Sequence, residues 1–563
     1  MNRDPLRLLA LIWAPAAAAA LTIGAIIVGI PTSGESGFFE TLAQAVFLLL
    51  YVVGWALAFR FTATGATILA VSAVAIGALA TVEFPPWRGF LLMAALFVPA
   101  AALWWTWRRG RSLRARGLLA AGLAALLIVG GLTADGIFDH FYGPKAPQSD
   151  LVALPMDRVE WVWSGAIATD SARVVAALAA EPTAEVRLHY TTGPAATLAD
   201  PSVTAASSAV EESVVEFQLD GLAAGTDYTY AVEVGGALDT TRGVGRLRTA
   251  PEGASSFQFT FASCARLGSN AQTYTTIAEA DPLFHLITGD FFYGDIAADD
   301  VGQFKRDYDR QITQPAAADL FRRVPVAYMW DDHDYGPNDA DRNSPSRPAA
   351  LASYRSFVPH YPLPFAEVSE GPMAQAFTIG RVRFLLADLR SQRDPKDQPD
   401  GPDKSMLGAL QKEWLEDEFR AANGKYPVIV WVSSVPWIDR SATPGDDWGA
   451  YAAEREQIAD FIAAEGIDGV VMLAGDAHMV AADDGTNSNF AQRGDGGFPV
   501  LQAAPVDQHV SEKGGPYSEG VSLIPGQFGL VTVTDRGDGI DLRFEGLTAT
   551  GERVLDYSWS EPG

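Results

Sequence analysis

The sequence predicts an α/β protein in which a β-sandwich precedes the α/β domain and a set of transmembrane helices precedes both. Three observations carry this. Five apolar stretches without charge, 8–30, 41–59, 61–82, 89–107 and 117–134, crowd the first 137 residues. Short alternating runs separated by turn residues fill 159–249. From residue 257, apolar runs of strand length alternate with helical stretches.

Each apolar stretch has 18 to 23 residues, about what a helix needs to cross a hydrocarbon core of roughly 30 Å. Flanking charges set the expected orientation. Arg3 and Arg7 precede the first stretch, Glu35 and Glu40 follow it, and Arg60 lies after the second. Glu83 and Arg88 balance after the third. Arg108, Arg109, Arg111, Arg114 and Arg116 follow the fourth. Lysine and arginine collect on the cytoplasmic side, so the N-terminus is expected inside and everything after the fifth helix outside. Trp104, Trp105 and Trp107 fall at the basic end of the fourth stretch, where an aromatic belt sits. A cleaved signal peptide, for which the Pro-Ala-rich 15–20 is suited, accounts for the first stretch alone and leaves four unexplained.

Composition changes at the same point. The chain holds 41 Lys and Arg against 68 Asp and Glu, a net charge of −27, yet residues 1–150 are net basic. The acidic remainder repels polyanions, so no nucleic-acid-binding module is expected. A single cysteine, Cys264, excludes an internal disulfide.

Residues 138–155 read as a linker broken by Gly143, Pro144 and Pro147. The runs 159–163, 172–178, 185–190, 214–219, 227–234 and 245–249 read as strands of a sandwich over 156–251. Within it, Leu219 to Tyr230 (Leu-Asp-Gly-Leu-Ala-Ala-Gly-Thr-Asp-Tyr-Thr-Tyr) resembles the tyrosine-corner segment of fibronectin type III domains. The body from 256 to 558 reads as α/β. Runs 257–262, 283–288, 324–330, 382–387, 428–432 and 469–474 are expected as buried strands, with helices at 408–422 and 452–465.

Almost every one of these strands ends in a group that can bind metal. The first ends in Cys264, and the second in Asp290 with Tyr293 three residues on. The third ends in Asp331-Asp332-His333-Asp334 and the fourth in Asp388, followed by Arg390 and Arg393. The last ends in Asp476 and His478. Ligands gather at the carboxyl ends of strands in open α/β sheets. Carboxylate and imidazole suit hard or borderline divalent ions, and thiolate or phenolate suits ferric iron. Singly each has a bland reading: Cys264 as a small buried hydrophobe, Tyr293 as a core ring, His478 as a satisfied core histidine. Four polar residues directly after an apolar run are costly to bury unpaired, and the set occurs in order.

That order, Phe261-Ala-Ser-Cys264, Gly289-Asp-Phe-Phe-Tyr293, Trp330-Asp-Asp-His-Asp334, Asp388-Leu-Arg-Ser-Gln-Arg393, Leu407-Gly-Ala-Leu-Gln-Lys-Glu-Trp-Leu415 and Gly475-Asp-Ala-His478, resembles the alkaline phosphatase D (PhoD-like) metallophosphatases. The resemblance covers about 155–558 and leaves the apolar N-terminus outside. It implies a four-layer α/β/β/α metallophosphoesterase fold and an iron–calcium centre related to that of purple acid phosphatases. It implies Cys264, Asp290 and Tyr293 on ferric iron, with Asp290 reaching toward a second metal. Asp332 stands where the related Gly-Asn-His-Asp/Glu motif has asparagine, and Asp476 and His478 complete the metal shell. His333 is implied as proton donor or phosphate contact, Arg390 and Arg393 as phosphate-oxygen binders. Two departures stand out. Gly294 replaces a frequent Glu, with Asp295 next, and Val432-Ser-Ser-Val-Pro-Trp437 lacks the histidine that purple acid phosphatases place there. The second favours oxygen ligation, hence calcium, at a site another divalent metal can also fill. The Asp-rich 295–300 is a further source of ligands.

The expected protein is thus an integral protein of a bacterial cell membrane. Its catalytic domain is periplasmic or extracellular, and its substrate is a small phosphate mono- or diester. A membrane sensor or adhesion protein with an inactive phosphatase-like domain is the alternative. A five-helix transporter is a third reading, opposed by the lack of charge within the apolar stretches.

Overall fold

The computed structural model describes residues 5–28, 34–83, 86–109, 136, 138–147, 154–181, 185–192, 202–205, 208–210, 213–439 and 445–563. They form two compact units, Met1–Tyr142 and Gly143–Gly563.

Among the described residues the first unit contains four long helices, Pro5–Val28, Gly34–Ala58, Thr62–Glu83 and Pro86–Arg108, over the first four expected stretches. Gly54 and Gly65 let two of them meet backbone to backbone. A Cβ on Gly65 would lie 2.4 Å from the Ala58 nitrogen and 2.5 Å from the Gly54 oxygen. The Tyr51 hydroxyl donates to the Leu96 carbonyl at 2.8 Å, and the Trp55 indole to that of Leu11 at 2.8 Å. Large apolar side chains also point outward, Leu8, Ile12, Leu49 and Leu91 among them. Among the described residues one stretch, Phe90–Arg108, is by itself long and apolar enough to cross a membrane, with shorter apolar stretches at Leu6–Ala19, Val46–Ala58 and Thr62–Ala78. The fifth expected helix, 117–134, lies outside the described residues. The start of the expected linker is helical, through 138–142.

The second unit is built on two large sheets and a smaller one. In the ten-stranded sheet, Phe257–Ala262, Phe284–Thr288 and Val326–Met329 run parallel side by side. The C-terminal meander Gln527–Asp535, Gly539–Thr548 and Arg553–Pro562 extends it on one flank. In the seven-stranded sheet, Val382–Leu386, Val428–Ser433 and Val470–Ala474 are parallel neighbours. The two sheets meet face to face. Phe259 and Phe284 of the first pack edge-on against Phe384 of the second, ring centroids 5.5 Å apart in both pairs. Alternation along Val428–Ser433 shows why the run is wholly apolar: Val428, Val430 and Val432 enter the core between the sheets, while Ile429 and Trp431 enter a second core with Leu415, Phe419 and Ile458. Those three side chains come from the expected helices, observed as Gly408–Ala422 and Ala452–Glu465. A strand buried on both faces reads as continuous hydrophobicity.

The six expected sandwich strands are present, joined by the short Ser202–Ala205, Ser208–Val210 and Ala237–Leu238. The Tyr228 hydroxyl accepts the Ala223 N–H at 2.8 Å, closing the corner. The sandwich is not walled off from the rest. Its Val159–Gly165 strand pairs in parallel with Val326–Met329 at Gly165↔Val326, so one sandwich sheet continues the large sheet.

Candidate metal centre

Parallel strands from both facing sheets end at one place, and their last residues turn sharply to bring polar groups together. Ser263 and Cys264 follow the first strand, Gly289 and Asp290 the second, Trp330 and Asp331 the third. From the other sheet come Ser434 after Val428–Ser433, and Gly475 and Asp476 after Val470–Ala474. The turns are tight. A Cβ on Gly289 would lie 2.6 Å from that of Asp331, and one on Gly475 would lie 2.4 Å from the Thr288 carbonyl. Cys264, Asp290, Asp476 and His478 have φ of 64°, 51°, 58° and 51°. Non-glycine residues seldom take the left-handed region, and such strain gathers at functional sites.

Among the described residues the side chains form four overlapping groups. Cys264, Asp290 and His478 offer ligand atoms within 4.8 Å of one another, as do Asp290, Asp332 and His333; Asp290, Asp331 and Asp476; and Asp332, Asp339 and Asp446. Asp290 belongs to three of them. The thiol of Cys264 lies 3.5 Å from Asp290 Oδ2. The Tyr293 hydroxyl is 2.7 Å from His478 Nε2, and its ring stacks on His333 with centroids 3.8 Å apart. His333 Nδ1 sits 2.7 Å from Asp295 Oδ1. Asp332 accepts the Asp339 N–H at 2.6 Å.

Electrostatics show what the arrangement needs. Burial raises the Asp290 carboxyl well above its usual range; His333 counters this, while Asp332, Asp331 and Asp334 add to it. Burial pushes Asp331 up to about 6 against the pull of Arg390, and raises Asp476 against the pull of Lys513. Burial, with Asp290 and Asp476 alongside, raises the Cys264 thiol far above normal. Asp332 goes the other way: burial would raise it, but Arg390 and His333 hold it below the carboxylate range. Burial would lower His333, yet Asp332, Asp290 and Asp295 hold it well above an ordinary imidazole. Crowded carboxylates of raised pKa lack positive charge, which a cation bound there would supply. The thiol, carboxylate and imidazole donors fit a metal centre.

The sequence led us to expect Arg390 and Arg393 at the substrate. Both are fully buried, and their donors bind protein groups except Arg393 Nη1, which has no hydrogen-bond partner among the described residues. Arg390 Nε and Nη2 bind Asp331 at 2.6 and 2.8 Å, and Nη1 and Nη2 bind Asp446 at 2.8 and 2.7 Å. Arg393 pairs with Asp446 at 2.9 Å and donates to the Tyr451 hydroxyl at 2.9 Å. Two members of the polar motifs are scaffolding. Asp334 accepts from the Asp331 and Phe291 N–H groups and the Tyr328 hydroxyl. Asp388 accepts from the Trp330 indole and the N–H groups of Met373, Arg390 and Ser391. Sequence reasoning missed Asp339, Ser434, Asp446 and Lys513, which lie outside the ligand-tipped motifs.

Residues 259–508 match the family model described as PhoD-like phosphatase. Alkaline phosphatase D of Bacillus subtilis (strain 168) is 27% identical over 314 residues, a match covering 47% of this chain and 53% of that protein. The match therefore spans about half the length of that relative. The solved structure of PhoD superposes with a TM-score of 0.57 at 18% identity, covering 72% of this chain and 90% of that one. Purple acid phosphatase PPD1 from yellow lupin (Lupinus luteus) seeds superposes with a TM-score of 0.50 at 13% identity, covering 72% and 74%. The chain is thus similar in sequence to the PhoD-like phosphatases over residues 259–508, and shares its fold with PhoD and a purple acid phosphatase.

Proposed function

We propose that this protein is a metal-dependent phosphoesterase acting on small phosphate mono- or diesters. The observation that carries this is the convergence of Cys264, Asp290 and His478, all in the left-handed backbone region, with ligand atoms within 4.8 Å of one another. Two kinds of donor set lie side by side. The thiol, carboxylate and imidazole group, with Tyr293 beside it, suits ferric iron. The all-oxygen group of Asp332, Asp339 and Asp446 suits calcium, and Asp290 lies between the sets. Metals bound there would polarise the phosphate ester and supply hydroxide at neutral pH.

The chain's own residues position and protonate. His333 carries its proton readily because three carboxylates surround it, and Asp295 fixes its ring through Nδ1. In this reading it protonates the leaving oxygen. Arg390 and Arg393 act by holding Asp331 and Asp446 in position.

We read the N-terminal helices as a membrane anchor with the catalytic unit outside the cytoplasm. Supporting this are the alternating arginine placement and the apolar side chains on the outside of the helices.

The test is to purify the full chain, measure iron and calcium by atomic emission, and assay a chromogenic monoester and diester before and after chelation. Bound metal with chelation-sensitive hydrolysis is expected. Metal-free protein without hydrolysis after reloading with either ion would refute the reading.

A further inference from the structure

Arg390 and Arg393 are buried against Asp331 and Asp446, which leaves room for another side-chain cation to meet an entering phosphate beside the metals and His333. We propose that Lys513 is that group, contacting the non-bridging phosphoryl oxygens of the substrate; this rests on the phosphoesterase reading above.

Lys513 comes from a loop 37 residues beyond Asp476 and places its ammonium 2.7 Å from Asp476 Oδ1. Its side chain is 40% exposed, whereas those of Arg390 and Arg393 are 0% and 1% exposed. A cation meant for substrate must be reachable from solvent, and Lys513 is.

The loop is fastened to the segment that carries the ligands. The Ser511 N–H donates to the His478 carbonyl at 3.3 Å, and the Ser511 hydroxyl donates to the Ala477 carbonyl at 3.2 Å. On the other side the Gly515 N–H donates to the Ile438 carbonyl at 2.6 Å, and the Tyr517 hydroxyl donates to the Lys513 carbonyl at 3.1 Å. Gly514 makes this approach sterically feasible: its φ is 72°, and a Cβ there would sit 2.1 Å from the Ile438 oxygen. The lysine backbone is therefore held against the strand end that presents Asp476 and His478, and its four-carbon stem carries the ammonium to Asp476. In this arrangement Asp476 is its partner. With Asp476 holding a metal, the ammonium would remain beside the site as a compact cation with three donors. That matches a phosphoryl group, whose non-bridging oxygens accept charge-assisted hydrogen bonds.

Lys396 offers an internal comparison. It is similarly exposed, at 43%, but its ammonium pairs with Asp339. Asp339 belongs to the all-oxygen group with Asp332 and Asp446, not to the groups that contain Asp476 and His478.

The experiment uses the metal-loaded full chain with Lys513→Gln, Lys513→Arg and Lys396→Gln. Three quantities are read: metal content, kcat and KM on a chromogenic monoester, and the affinity for inorganic phosphate by competition and by calorimetry. Lys513→Gln should keep its metals, raise KM and weaken phosphate binding by about ten- to a hundredfold, as loss of one charge-assisted contact implies. Lys513→Arg should recover part of the phosphate affinity, and Lys396→Gln should change it little. Unchanged phosphate affinity in Lys513→Gln overturns the proposal. So does loss of metal in that variant, which would make Lys513 part of the metal scaffold, or an equal loss in Lys396→Gln, which would reveal only the general field. Wild-type protein that neither hydrolyses phosphate esters nor binds phosphate would instead remove the phosphoesterase reading on which the proposal stands.

Discussion

Arg390 grips Asp331 through two parallel hydrogen bonds, 2.6 Å from Nε and 2.8 Å from Nη2, and both side chains are completely buried. The Ser434 hydroxyl adds a third bond to the same carboxylate at 2.6 Å. The pair ties the third strand of one sheet to the loop after Val382–Leu386 of the other. It thereby ties the two sheets together where the candidate ligands converge. Removing one partner of a buried pair leaves the other uncompensated, at a cost of about 3–5 kcal/mol. Arg390→Ala should therefore melt at markedly lower temperature and lose bound metal. Arg390→Lys should rescue it poorly, since an ammonium cannot make the two-pronged contact. An Arg390→Ala variant with wild-type melting and metal content, but weakened phosphate affinity, would return the arginine to the substrate side.

Cys264 is the only thiol in the chain, and it is buried beside Asp290. Without a cation its raised pKa keeps it protonated; a bound metal would make it a thiolate. Cys264→Ser changes one atom in a site of fixed backbone. The variant should fold, bind less iron, and lose or shift any visible charge-transfer absorption of the wild-type protein. Unaltered iron content and absorption would assign the metal to the carboxylates and His478 alone.

What the sequence made legible follows from where its signals arise. Strand ends were readable because an apolar run that stops at Cys264, Asp290, Asp331 or Asp476 marks the place where the chain leaves the core. The helices Gly408–Ala422 and Ala452–Glu465 matched expectation to the residue at both ends. Asp446 and Lys513 were invisible, because each reaches the site from an irregular loop and meets its partner only through tertiary folding, Lys513 across 37 residues and Asp446 across 56 to Arg390. The carboxylate partners of Arg390 and Arg393 were invisible for the same reason. A guanidinium after a strand looks equally suited to phosphate or carboxylate, and in the structure both arginines pair with Asp446. The union of Val159–Gly165 with Val326–Met329 left no mark in either run, since neither pattern of residues depends on which neighbour the strand takes.

The arginine alternation makes a topological prediction. A reporter active only after export should be active when fused after Ser149 and silent when fused within 108–116. The opposite pattern would place the catalytic unit in the cytoplasm.

His285 gives a pH dependence outside the metal groups. It lies buried in Phe284–Thr288 with Nδ1 2.9 Å from the Thr260 hydroxyl, and burial pushes its pKa down to about 3. The folded protein holds it neutral, while the unfolded chain takes up a proton below about pH 6.5. Its stabilising contribution is therefore fully present above that pH and falls away as the pH drops toward 3. The slope is at most about 1.4 kcal/mol per unit. His285→Gln cannot be protonated there. Chemical denaturation across this range should show wild type losing stability relative to His285→Gln as the pH falls, and parallel curves would show that His285 does not titrate as described.

Gly289 is where the backbone geometry of the site can be tested most directly. Its φ is 102°, a conformation that L side chains rarely adopt. A Cβ there would also lie 2.6 Å from the Cβ of Asp331 and 3.2 Å from that of Ser434. Two penalties coincide: strain in the turn that delivers Asp290, and a collision with the residue Arg390 holds. The neighbours cannot yield cheaply, because Asp331 is pinned by Arg390 and Ser434. Gly424 provides the control, with φ of 68° and nothing within 4 Å of an added Cβ. Gly424→Ala should cost about 1 kcal/mol from conformation alone. Gly289→Ala should cost several times more and lower metal content in the fraction that folds, because Asp290 and Asp331 can no longer hold their spacing. Equal melting temperatures for the two variants would mean that the strand ends yield to a methyl group, and that their close approach is not what sets the ligand geometry.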